Sequence, residues 1–303
     1  MKKWSSHTKS MIELGIVYFI AIALGSITYL FFASANVLLR MLAADIVATI
    51  VVWFHGIIRR NSSVYDPYWS VIPPLVVLGW VIEYRPEFNL PLAFLFLAIL
   101  LWSIRLTANW AKGWTDFSDQ DWRYVMIRKQ APKLWFVSNL FGINMMPTFI
   151  VFIQLAGSQS FIQNAQALSF WTILGFLVSL AAIVDEYVSD HQMAEFRLKN
   201  QGKHQCIDEG LWHYSRHPNY FGEVSMWWGV WLMYFGVRQT LDFTVIAPVL
   251  MTCLFLFISI PMMEKKILTS RPAYRKYQQS VSILVPFFRH PETDEDESVR
   301  ESN

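Results

Sequence analysis

The densest chemistry in this chain lies in one run: Gly210-Leu211-Trp212-His213-Tyr214-Ser215-Arg216-His217-Pro218-Asn219-Tyr220-Phe221-Gly222-Glu223. It joins a polar stretch to an apolar one. Pro218 fixes its own backbone and disfavours helix at His217. Gly222 permits close backbone approach. Arg216 offers a planar fork suited to phosphate. Asn219 carries amide donor and acceptor together, as recognition of a carboxamide or a base edge requires. Glu223 falls at or just inside a helix N-terminus. The plain reading of the same residues is a capped helix start with snorkelling aromatics. Arg, His, Asn, Tyr and Glu within eight positions exceed what a cap needs.

Three further constellations accompany it. Asp190 and Arg197, seven residues apart, share one helical face, with Glu186 a turn earlier. They suit a ligand, or a salt-bridged helix end leaving a membrane. Arg105 and Asn109 form an i,i+4 pair. An intramembrane Arg is costly and faces the protein interior or snorkels to the surface. Asp121, Arg123 and Tyr124 follow a polar loop and suit a phosphate and ribose, or a solvated loop. The last constellation is Asp45 with Thr49, followed by Tyr65-Asp66-Pro67-Tyr68-Trp69. A buried carboxylic acid kept protonated can donate a hydrogen bond or a proton to a ketone. Arg40, five residues before Asp45, offers a structural ion pair instead.

The elements that must position these groups are membrane helices. The chain has 303 residues, 54% hydrophobic and 16% charged, against about 25% charged in soluble domains. Apolar runs cover roughly 11–33, 38–58, 68–82, 90–111, 134–155, 168–187, 223–237 and 243–262. Runs of about 20 residues match a bilayer core, and backbone groups in hydrocarbon must bond within their own segment. The expected fold is therefore all-α, a polytopic helix bundle with seven or eight crossings, because the third and seventh runs are short. With eight, one side receives 21 of the 25 Lys and Arg residues. The positive-inside rule then places both termini in the cytoplasm, together with every dense polar motif. One membrane domain is expected over 11–288, after a cytosolic segment 1–10 and before a disordered acidic tail 289–303. A net charge of +2 gives no footprint for nucleic acid. Cys206 and Cys253 have no metal-ligand spacing and read as two reduced thiols, and no metal is expected.

The run Gly-Leu-Trp…Arg-His-Pro-Asn-Tyr-Phe-Gly-Glu resembles the steroid 5-alpha-reductase superfamily. That superfamily carries Gly-Leu-(Trp/Phe) and then Asn-(Tyr/Phe)-x-Gly-Glu in its C-terminal half. The Arg-His-Pro-Asn-Tyr form is similar to the sterol reductases and to an uncharacterised group beside them. The resemblance runs from about Asp185 to Phe288 and includes Asp190, Phe196-Arg197, Tyr274-Arg-Lys-Tyr277 and Val285-Pro286-Phe287. Upstream, Asn61–Ser70 and Trp102–Trp110 resemble the same group. An Asn is usual in the reductases where this chain has Glu186. Their ketone-polarising Gln-Glu pair and Tyr have no counterpart here, because Glu83-Tyr84 falls on the outer side of the expected topology.

The resemblance implies NADPH bound at the cytosolic mouth. Its contacts would be Arg105, Asn109, Arg123, Asp190, Arg197, Trp212, Ser215, Arg216, His217, Asn219, Tyr220 and Glu223. A lipid of the bilayer, such as a steroid, sterol or polyprenoid enone, would be reduced with a proton from among Asp45, Tyr65, Asp66 and Tyr68. The membrane is expected to be a bacterial inner membrane or endoplasmic reticulum, and the oligomeric state stays open. Isoprenylcysteine carboxyl methyltransferases also carry Arg-His-Pro-x-Tyr before a membrane helix and bind S-adenosylmethionine, so a membrane methyltransferase is the second expectation. A non-enzymatic lipid-binding or transport protein is the third.

Overall fold

The computed structural model describes residues 5–289 except 166, 202 and 204. The acidic tail, and the first residues of the expected N-terminal segment, lie outside the described residues. The fold is 80% helical, with no strand among the described residues. The helices are α1 (Ser6–Phe31), α2 (Val37–Arg59), α3 (Tyr68–Tyr84), α4 (Leu90–Gly113) and α5 (Trp122–Gln130). They continue with α6 (Pro132–Asn164), α7 (Phe170–Lys199), α8 (Pro218–Arg238), α9 (Phe243–Ser270) and α10 (Tyr274–Ser280). Six of these, α1, α2, α4, α6, α7 and α9, are long and apolar enough to cross a membrane. The protein is thus an all-α, multi-pass bundle. The two short runs of the sequence became α3, with 17 residues, and α8, which opens on the polar Pro218-Asn219-Tyr220.

The helices pack as two compact units, one from residues 1–173 and 231–247, the other from 174–230 and 248–303. In the first unit, α1 buries Leu14, Val17, Ala21 and Gly25. These lie three or four residues apart and so form one stripe. The rest of α1 turns Ile16, Phe19 and Ile27 outward, as a lipid-facing surface requires. Small residues let membrane helices approach closely. Ala21 and Gly25 on α1 and Ala44 and Ala48 on α2 are spaced that way, and a methyl group built on Gly25 would lie 2.9 Å from the Ala44 carbonyl oxygen.

Two departures from regular helix matter for the site. Pro73 and Pro74 lie inside α3 and withhold two N–H donors, loosening the ladder at Trp69 and Ser70. α6 passes through a π-helical stretch at Ser138–Met145. Wider turns of this kind recur where a helix must aim side chains for function. Here Asn144 Nδ2 donates to the Asn139 carbonyl at 2.8 Å, and Ser62 Oγ donates to Asn139 Oδ1 at 3.1 Å.

The α1–α2 approach makes a prediction. Gly25→Leu should destabilise the protein by about 1–3 kcal/mol, the usual cost of overpacking. Gly15→Leu should be nearly silent, because a methyl group there meets nothing within 4 Å. Thermal unfolding of both variants in micelles checks the contrast.

Candidate functional site

In the first unit, the loop between α2 and α3 and the inner turns of both helices gather a buried polar cluster. Tyr68 OH donates to Asp45 Oδ1 at 3.0 Å. Arg40 does not pair with Asp45. It pairs with Glu83 at 3.0 Å, donates to the Tyr29 carbonyl and lies 4.0 Å over the Tyr29 ring. Five residues along α2 turn Arg40 about 140° around the helix from Asp45, and Glu83 at the end of α3 answers it. Asp45 has no cation within ion-pairing distance among the described residues. Tyr65 OH lies 2.7 Å from Thr148 Oγ1, and Thr49 Oγ1 lies 3.0 Å from the same atom. Thr148 Oγ1 donates to the Asn144 carbonyl at 2.9 Å. A hydroxyl has one proton, so Thr148 accepts from Tyr65 and Thr49. Both phenol protons therefore point into the protein. Tyr18 closes the cluster, edge-on to Tyr68 at 5.7 Å, with its hydroxyl on the Val64 carbonyl at 2.6 Å.

Asp45, Tyr65, Tyr68 and Thr148 line a small cleft with Trp69, Ile72, Pro73, Val151 and Leu155, with a free volume of about 10 Å³. That is room for roughly one water, against about 300–1,000 Å³ in ligand pockets, so a lipid would enter only by parting these side chains. Asp66 belongs to a different group. Tyr124 OH donates to it at 2.5 Å. Burial, with the charge of Asp121 adding to it, pushes the Asp66 carboxyl up to about 7 against the pull of the Tyr124 hydrogen bond. Arg123 is gripped twice by Asp121, at 2.9 and 3.0 Å. Arg105 is half-buried on α4, and Asn109 is exposed there. Of the four residues expected to act as acids, the cluster thus unites Asp45, Tyr65 and Tyr68 and leaves out Asp66.

In the second unit, the loop before α8 is organised by a residue the sequence did not single out. Glu264, buried on α9, forms an ion pair with Arg216, Nε to Oε1 2.9 Å, and meets His217 Nε2 at 3.1 Å on the same oxygen. Tyr274 OH donates to that oxygen at 3.2 Å, and Gln278 Nε2 to the other at 2.7 Å. Glu264 had no visible signal, because Lys265 and Lys266 beside it make it look like a solvated helix end. The loop is also tied to the segment after α10. Arg216 N bonds the Ser282 carbonyl at 2.8 Å, Ser215 Oγ the Leu284 carbonyl at 2.7 Å, and Phe287 N the Tyr214 carbonyl at 2.9 Å. Trp212 Nε1 donates to the Ser189 carbonyl at 3.1 Å. Gly222 earns its place: a methyl group there would lie 2.3 Å from Glu186 Cγ and 2.9 Å from the Ala182 carbonyl oxygen.

Of the remaining expected cofactor contacts of this unit, Glu223 is buried and Asn219, Tyr220, Asp190 and Arg197 are less enclosed. Asn219 Nδ2 donates to Asp190 Oδ1 at 3.3 Å. The Tyr220 ring lies between the His217 ring, stacked at 5.3 Å, and Phe255 at 4.7 Å. Glu223 Oε1 accepts from Trp227 Nε1 at 2.8 Å, and Arg197 is exposed on the last turn of α7. These groups fit the uncharged parts of a nicotinamide dinucleotide. Asp190 can accept from ribose hydroxyls and Asn219 can meet a carboxamide. Its phosphates would find Arg197 open to solvent, and would reach Arg216 only by displacing Glu264.

Two predictions come from these geometries. A carboxyl whose pKa is raised by folding holds its proton more tightly in the folded state. Its stabilisation is present at acid pH and lost as pH rises through the folded value. Stability should therefore fall between the ordinary carboxylate range and pH of about 7. Asp66→Asn should flatten that fall in thermal unfolding scans, and an unchanged profile would exclude Asp66 as its source. Glu264→Ala leaves Arg216 buried without its counter-charge, which should cost about 3–5 kcal/mol. Thermal unfolding should show Glu264→Ala as far worse than Lys265→Ala, an exposed neighbour.

Comparison with known proteins adds a family. The family described as protein of unknown function, DUF1295, matches residues 52–281. An uncharacterized protein of Schizosaccharomyces pombe is 25% identical over 268 residues, covering 78% of this chain and 76% of the relative. No solved structure matches the chain. The family match takes in most of the helices, the Glu264 cluster, and Tyr65, Tyr68 and Thr148 of the first cluster, but begins after Tyr18, Asp45 and Thr49; the chain belongs to the DUF1295 family.

Proposed function

We propose that this protein is an NADPH-dependent reductase of a lipid dissolved in the membrane, of the steroid 5-alpha-reductase type. The observation that carries the reading is the Asp45–Tyr68 hydrogen bond at 3.0 Å beside a small apolar-lined cleft, with no cation among the described residues to compensate the carboxyl. A carboxyl placed in a membrane helix and answered only by a phenol is an expensive way to hold helices together, and such residues mark functional pathways. Reduction of a lipid double bond needs a proton beside the hydride. With Asp45 protonated, its O–H donates to Tyr68, and the Tyr68 proton is free to turn to the lipid. Tyr65 is held by Thr148 and orients the Tyr68 ring, 5.5 Å away. Bound NADPH would supply the hydride. Asp190, Asn219, Tyr220 and Arg197 would hold and orient it.

One observation favours a second reading. Glu264 neutralises Arg216, so a cofactor with fewer negative charges would lose less there. S-adenosylmethionine is such a cofactor, and the reaction would then be methyl transfer to a lipid.

A thermal-shift comparison in micelles separates these. NADPH should raise the melting temperature, because a ligand at about 100 times its Kd stabilises by about 2.7 kcal/mol. Asn219→Ala should shrink the shift. A shift with S-adenosylmethionine alone would move the assignment to methyl transfer, and no shift with either would leave a lipid-binding protein.

A further inference from the structure

The stretch that leads from α5 into α6 has a composition that the reductase reading does not use. Between Asp121 and Asp185 the chain has no acidic residue but has Arg123, Arg128, Lys129 and Lys133. Arg123 is held by Asp121. Arg128, Lys129 and Lys133 are all exposed, and no carboxylate lies within ion-pairing distance of them among the described residues. Directly after them come exposed apolar side chains, Leu134 (62% exposed), Phe136 (56%), Val137 (54%) and Phe141 (60%). The Arg128 guanidinium lies 5.6 Å over the Trp135 ring. Residues 132–164 are long and apolar enough to cross the bilayer, so the three cations stand at its edge.

A second observation asks for a partner. α5 has nine residues and buries none of them. Isolated helices that short are marginal in water. Its first turn is pinned by the Asp121 cap and by Tyr124 on Asp66, whereas among the described residues no side-chain hydrogen bond or ion pair of Arg128 or Lys129 ties its last turn. Cations on the polar border of an apolar, aromatic-flanked membrane segment stand at the level of the lipid headgroups and are drawn to anionic ones.

We propose that residues 128–137 form a headgroup site for an anionic phospholipid. Its phosphate is held by Arg128, Lys129 and Lys133, and its acyl chains lie along Leu134, Phe136 and Val137. The lipid is a structural ligand that anchors the end of α5, and the proposal does not rest on the reductase reading.

The test reconstitutes the full chain in nanodiscs of phosphatidylcholine with a minor share of phosphatidylglycerol, re-extracts it, and quantifies the retained lipids by mass spectrometry. Phosphatidylglycerol should be enriched over its share in the disc. Each surface cation near a charged membrane contributes about fivefold. The triple variant Arg128→Gln, Lys129→Gln, Lys133→Gln should therefore lose enrichment on the order of tenfold or more. Arg275→Gln with Lys276→Gln, exposed cations elsewhere, should keep it. If the triple variant fails to fold, the wild-type chain decides the matter. Raising salt from about 0.1 to 1 M shortens the Debye length from about 10 to 3 Å and should release the bound lipid. Equal retention of both lipids by the wild type, enrichment that survives the triple substitution, or enrichment lost equally in the control variant would overturn the proposal.

Discussion

Hydrocarbon offers no hydrogen bonds, and that single constraint organises the first unit. A polar side chain drawn into the bundle costs free energy unless it finds a partner there, and many do, while Trp53 Nε1 and Trp80 Nε1 have none among the described residues. Arg40 finds Glu83 and the Tyr29 carbonyl. Gln154 finds the Ala247 carbonyl at 2.6 Å, and Ser158 finds Tyr234 at 2.7 Å. These pairings bridge segments distant in sequence and read as architecture. Asp45 is the exception. Its side-chain partner is a phenol, which can share a proton with it but cannot cancel its charge. The cluster around it is also the one that opens on a cleft, next to the helix that two prolines loosen.

The second unit solves a different problem. A loop must leave one helix, cross polar territory and enter α8 at a fixed angle. Pro218 sets the entry, and Glu264 pulls Arg216 and His217 onto α9 while Tyr274 and Gln278 of α10 complete its coordination. An Arg and a His that look like ligand hooks in one dimension are thus bound by a carboxylate 47 residues or more away. The polar groups of this unit outside that coordination are milder ones, Asp190, Asn219 and Tyr220, with Asn219 Nδ2 on Asp190 Oδ1 at 3.3 Å.

Much of the fold was legible in the sequence, because length and apolarity dictate membrane helices almost alone. All eight apolar runs became helices, and even the two short ones were distinguishable, α3 by its length and α8 by its polar opening. The π-helical turns were not legible. They depend on how Asn139 and Asn144 are met by Ser62 and by each other, and no local pattern encodes that. Asp45, Tyr65 and Tyr68 could be named from the sequence as polar residues in apolar surroundings. Their assembly through Thr148 could not, since a Thr in Met-Met-Pro-Thr-Phe looks like any helix hydroxyl. The pairing offered for Arg40 with Asp45 failed because five residues along a helix turn the two side chains about 140° apart, and Glu83 lies on Arg40's side. Glu264 stayed hidden because charge at a helix end is ordinary.

Tyr68 decides whether the buried cluster is reactive or merely cohesive. The direct measurement is NADPH oxidation by the purified protein in nanodiscs, dependent on added membrane lipid extract, for wild type and Tyr68→Phe. A positioned proton donor contributes about 10²–10⁴-fold. The account predicts a loss in that range in Tyr68→Phe while NADPH binding is retained. Oxidation unaltered by the lost hydroxyl, or none in the wild type with any lipid fraction, would contradict it.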